Sequence, residues 1–285
     1  MIHFSKKNFF LFLLITIFLI IPYTMLSIQN AAPIVNHPLS EGGLPFFYDL
    51  QNGMVTPELA GVGYTFFTIV CFPFIYSFQP IHARINHFDY IIALRAQKNG
   101  IVNKWNSSYL VRILWTNFFY TFLFFFSILI VEVLVIQIAY QPFIFQKTSF
   151  FLTESITYYL SPNGLTNFVM YLLLAPLGSA IFSTFIMVVG LYIKNYFVYL
   201  SSGLLLSLIL IIAPALIKMT LNTSALDPLL YAIEADSLLK PGLTTLGSVT
   251  PAFSATFAYL FSLIFFVLLI IILFHFRIKL DKKSS

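Results

Sequence analysis

Charge is what this chain has least of. Asp, Glu, Lys and Arg make up 9% of its 285 residues, while apolar residues make up 59%. A water-soluble domain carries about a quarter charged residues, so a soluble globule could not clothe its surface with this composition. Disorder is excluded by the same figures, since disordered chains are apolar-poor and charge-rich. Cysteine is nearly absent: Cys71 stands alone inside an apolar run, so an intramolecular disulfide and a cysteine-cluster metal site are excluded, and it reads as a small buried hydrophobe. The sequence contains no G-x-x-x-x-G-K-[ST] phosphate loop, no G-x-S-x-G and no H-E-x-x-H, which removes P-loop ATP hydrolysis and two common hydrolytic designs.

What is present in quantity is long apolar runs. Crossing the hydrocarbon takes about 20 apolar residues in a helix. Six segments meet that length: 9–26, 60–78, 113–140, 166–193, 197–217 and 252–276. The expected fold class is therefore an all-α integral membrane protein with six transmembrane helices, a single domain over 1–285. Segment 9–26 has the basic start and apolar centre of a signal peptide, but its full-span length and Pro33 after Ala32 favour a retained anchor. Spans four and five are parted only by Lys194 and Asn195, which predicts a tight helical hairpin.

The basic residues set the orientation. With six spans, twelve lie on the side of the termini: Lys6, Lys7, Arg84, Arg95, Lys98, Lys104, Arg112, Lys194, Arg277, Lys279, Lys282 and Lys283. Three lie opposite, Lys147, Lys218 and Lys240. Positive charge stays in the cytoplasm, so both termini are expected there, in a multi-pass protein of the cell membrane. The formal charge of +5 then reflects membrane orientation and not nucleic-acid binding. The loop 27–59 reads as turn-rich and extracellular. Apolar patches at 150–152 and 229–233 read as short helices on, or dipping into, the outer leaflet.

The cytoplasmic loop 79–112 is the most informative polar stretch. Phe88, Ile91, Ile92 and Arg95 fall at helical spacing, and Lys98-Asn99-Gly100 is a helix stop. Val102, Trp105 and Tyr109 form a second short apolar face, and Asn106, Ser107 and Ser108 are candidate caps for a helix leading through Arg112 into span three. The pattern suits an amphipathic helix at the inner membrane surface, lying on lipid headgroups or docking a cytoplasmic partner.

Few polar groups sit inside the spans. Glu132 is the one acid there, about 28 Å along the helix from Ile113 at ~1.5 Å per residue, near the outer headgroups; an acid in a span is a functional candidate. His82, His87 and Asp89 lack the spacing that puts two imidazoles on one helical face, so no metal is expected. Ala175, Ser179 and Ser183 make one face of span four small, with Gly178 and Gly190 adding points of close approach. Such a face serves helix packing within one bundle, a dimer seam or a pathway lining.

This layout resembles the membrane subunit of type 2 ABC exporters of Gram-positive bacteria. The likeness rests on six spans with both ends inside, the amphipathic loop after span two, the tight turn between spans four and five, and the long outer segment before span six. The stretch Tyr90-Ile-Ile-Ala-Leu-Arg95-Ala-Gln-Lys98-Asn-Gly100, with Lys104-Trp105, is similar to the basic inner segment of those permeases. The resemblance implies a coupling helix docked on a separate ATPase, with Phe88, Tyr90, Arg95, Lys98 and Trp105 at the contact. It also implies a second permease subunit, ATP held by the partner and no enzymatic activity in this chain. The cargo implied is peptide-like, antimicrobial or amphiphilic. Two other classes remain open: a non-transporting immunity or assembly factor acting on a partner in the bilayer, and an intramembrane enzyme, for which no convergent polar set is visible.

Overall fold

A computed structural model describes scattered residues between 10 and 25 and residues 107–140, 160–161, 164–193, 195–221, 224–241 and 255–283. Spans one and two and the docking positions Phe88, Tyr90, Arg95, Lys98 and Trp105 lie outside the described residues, apart from helical positions scattered through 10–25. Every regular element among the described residues is a helix. Four are long: α1 (Ser107–Tyr140), α2 (Gly164–Gly190), α3 (Tyr196–Leu221) and α6 (Ala255–Lys283). Between α3 and α6 stand a 3-10 turn (Ser224–Leu226) and two short helices, α4 (Asp227–Ile233) and α5 (Ala235–Leu239).

Three stretches, Ile113–Val135, Thr166–Gly190 and Ala255–Leu280, are long and apolar enough to cross a membrane. The apolar part of α3, Leu205–Leu221, is shorter. The chain is a membrane protein by this measure, because helices of such composition find no stable place in water.

The α2–α3 connection shows how the sequence makes its turns. Beyond Gly190 the helix tightens, with the amides of Tyr192 and Ile193 donating to the carbonyls of Val189 and Gly190, both at 3.1 Å. Asn195 then starts α3: its Oδ1 accepts from the Phe197 amide at 2.9 Å, which satisfies one of the donors a helix start leaves open. The turn is tight, yet α3 packs only sparingly on α2 beyond it and meets α4 more closely. The expected helical hairpin is therefore splayed. Beyond the turn, α5 packs on α2, α6 and α3.

The core centres on α2 and α6. Phe266 of α6 meets Phe182 and Phe185 of α2 edge-on, with ring centroids 5.6 and 5.2 Å apart. This geometry puts the positive edge of one ring on the negative face of another. Ile186, Leu191, Tyr199, Leu238, Ile270 and Phe274 belong to the same cluster.

Polar bonds pin the other neighbour of α2. Asn117 Nδ2 of α1 donates to Thr184 Oγ1 at 3.1 Å, and Thr121 Oγ1 donates to the Pro176 carbonyl at 3.1 Å. The two bonds fix α1 and α2 antiparallel, since 117 pairs with 184 and 121 with 176. Between hydrocarbon-solvated helices apolar burial gives little preference for one partner, so buried polar bonds and small residues set the register.

Candidate functional site

The segment between α3 and α6 builds the site. Pro228 opens α4 at the position where its missing amide costs nothing, and Asp227 lies in the first turn. The helix ends at Glu234, whose backbone is extended (φ −66°, ψ 115°) while its amide still donates to Leu230 O at 2.9 Å. One residue on, α5 begins. The result is a pair of helical turns broken at Glu234, seated as a wedge among α2, α3 and α6.

The wedge runs deep. Gly178 lies midway along the apolar stretch Thr166–Gly190, and the α5 backbone touches it there. A Cβ at 178 would overlap the Leu238 carbonyl oxygen and lie 2.9 Å from the carbonyl carbon, so only glycine admits this approach. Irregular backbone at membrane depth is tolerated where protein encloses it, and Leu230, Tyr231, Ala235, Leu238 and Leu239 are all buried.

Polar groups line the wedge. Lys218, at the end of α3, bonds Asp227 Oδ1, and both side chains are buried. Glu234 is 5% exposed. The Ser237 hydroxyl donates to its Oε2 at 2.8 Å, and the Ser262 hydroxyl of α6 donates to its carbonyl at 3.3 Å. Burial pushes the Glu234 carboxyl up to about 8; the charge of Asp236 adds to the rise and the Ser237 bond opposes it. At neutral pH this places the group chiefly in its neutral form, still accepting the Ser237 bond. Tyr259 of α6 ties the wedge's neighbours together, its hydroxyl donating to Leu174 O of α2 at 2.9 Å. Among the described residues no three His, Cys, Asp or Glu side chains converge on a metal position.

The site residues expected on the spans fall in two places. Ala175, Ser179 and Ser183 are buried along α2 inside this chain, with the Ser183 hydroxyl donating to Ser179 O at 2.8 Å. Ala175 also lines a small cleft with Phe125, Leu129, Tyr171, Leu172 and Pro176, between α1 and α2. Glu132 is fully buried and stands apart from them, eleven residues beyond Thr121 and therefore about 16 Å further along α1. The sequence reading overlooked Glu234, Asp236 and the Lys218–Asp227 pair. Its one clue was the apolar patch 229–233, followed within three residues by two acids, a pattern a lipid-surface helix would not need.

Neither a family model nor a curated protein nor a solved structure matches this chain.

Proposed function

We propose that the chain is the permease subunit of an ATP-driven exporter, a six-span protein of the cell membrane with both termini in the cytoplasm. It moves a peptide-like, antimicrobial or amphiphilic cargo and itself hydrolyses nothing; a separate ATP-binding cassette subunit supplies the energy. The observation that carries this reading is the twelve-to-three division of basic residues, which puts the amphipathic loop 79–112 in the cytoplasm, joined directly to span three. In the structure α1 begins at Ser107, so a single helix leads from the end of that loop into the apolar stretch Ile113–Val135. A push on the loop is thereby delivered to a rigid rod. That rod is bonded to α2 by Asn117 and Thr121, and α2 carries the wedge.

In this reading Phe88, Tyr90, Arg95, Lys98 and Trp105 form the docking face, two permease subunits enclose the pathway, and the small face of α2 with Glu132 belongs to its framework. The sparse charge within the spans favours an amphiphilic cargo over an ion. The test is purification of the tagged full chain in mild detergent, with ATP hydrolysis and export measured in parallel. The expected result is a co-purifying ATPase, and Arg95→Ala and Trp105→Ala variants that insert normally, lose that ATPase and stop export. Full export by both variants, or function with no nucleotide-binding partner, would refute the reading.

A further inference from the structure

Two of the wedge's carboxyl groups, Glu234 and Asp236, have no part in the reading above. We propose that the Glu234 side chain is a proton-operated catch: protonated, it keeps α4 and α5 seated among α2, α3 and α6, and on losing its proton it releases them. The inference concerns this chain's own wedge and stands whether or not an ATPase drives the protein.

The position of Glu234 argues for it. This residue is the break between α4 and α5, so it joins the two pieces that must move together. Three bonds hold it: its amide to Leu230 O, its carbonyl to Ser262 of α6, and its carboxyl to Ser237. Two residues on, Asp236 Oδ1 is enclosed without a hydrogen-bond partner among the described residues. Two carboxylates this close in an enclosed apolar setting cannot both be charged at small cost, and the cheapest relief is a proton on one of them.

Among the described residues no cation, the buried Lys240 included, figures among the groups that act on the Glu234 carboxyl. Along α2, no ionisable side chain lies between Tyr171 and Gly190. On α6 the nearby groups are the Ser262 hydroxyl and the Tyr259 phenol, the latter given to Leu174; His275 and Arg277 stand thirteen or more residues beyond Ser262, about 20 Å along the helix. On α3, Lys218 is committed to Asp227 of α4. Tyr231 of α4 is neutral, and Lys240 follows α5. The charge that acts on Glu234 is that of Asp236.

The sign follows from linkage. Unseated and hydrated, the carboxyl titrates near the ordinary 4.5; seated, near 8. The seated form therefore holds more protons between those values. Its advantage is complete below about pH 4.5, shrinks as pH rises, and is gone above about 8. The opening equilibrium of the wedge should rise ~10-fold per pH unit across that window and then level off.

Hydrogen exchange of the full chain in lipid nanodiscs from pH 5.5 to 9.5, corrected for the chemical exchange rate, reads this directly. Protection of the peptide covering 234–240 is expected to fall ~10-fold per unit up to about pH 8 and hold constant above it, while the α6 peptide covering 264–276 keeps its protection. Glu234→Gln should abolish the slope. Asp236→Asn, which removes the neighbouring charge and retains the catch, should move the bend to lower pH. This second variant decides the matter if Glu234→Gln does not fold. Wild-type protection that is flat with pH, a bend unmoved by Asp236→Asn, a slope that survives Glu234→Gln, or parallel loss in the α6 peptide would each overturn the proposal.

Discussion

Helices α2 and α6 are alike in length and apolarity and opposite in use. Of the apolar window of α2, 72% is buried within the protein; of that of α6, 33%. Ile264, Leu268, Ile271 and Ile272 of α6 point outward, as do Leu260 and Phe261. On α2 an unbroken run from Gly178 to Val188 is buried, and it includes Ser179, Ser183 and Thr184. Hydropathy says only that each can cross a membrane. The enclosed run of α2 mixes bulky apolar residues with small and hydroxylated ones, and it is the latter that let backbones approach and bond.

Substitutions can break this contrast, and their effects should rank in order. Removing the cation that anchors the wedge comes first. Lys218→Met leaves Asp227 buried and unpaired and should cost about 3–5 kcal/mol, whereas Lys218→Met with Asp227→Leu should recover most of it. Unfolding in graded detergent mixtures measures both. Gly178→Val drives a side chain into the Leu238 carbonyl and should cost about 1–3 kcal/mol or more, with exposure of 234–240 to hydrogen exchange as the local readout. Tyr259→Phe deletes one buried bond to α2 and should cost about 1 kcal/mol. At the bottom, Leu268→Val on the outward face of α6 should stay within about 0.5 kcal/mol. If Leu268→Val proved as costly as Gly178→Val, the contrast between the two helices would be wrong.

Much of this architecture was legible in advance, and the part that was not has a clear cause. The apolar centres of the last four spans coincide with α1, α2, α3 and α6 because a 20-residue apolar run has few other fates. One end agrees and one does not: α1 is helical from Ser107, where Asn106, Ser107 and Ser108 were expected to cap a helix leading into span three, whereas α6 continues to Lys283 beyond its apolar run, since a helix needs no hydrocarbon to persist. The small face of α2 was visible in the spacing of Ala175, Ser179 and Ser183, but not what Gly178 admits. A neighbour supplied from sixty residues downstream leaves no local pattern. For the same reason Glu234 looked like one more acid in an outer loop. Its burial is a tertiary fact, set by Ser262 and by the depth to which α5 reaches.

The functional account depends on the loop 79–112 being cytoplasmic. The most direct test is a single-cysteine variant, Lys98→Cys with Cys71→Ser, exposed to a membrane-impermeant thiol reagent in intact cells and in inverted vesicles. The account predicts labelling in the vesicles and none in the cells. Labelling from outside the cell would reverse the orientation and remove the docking of an ATPase with it.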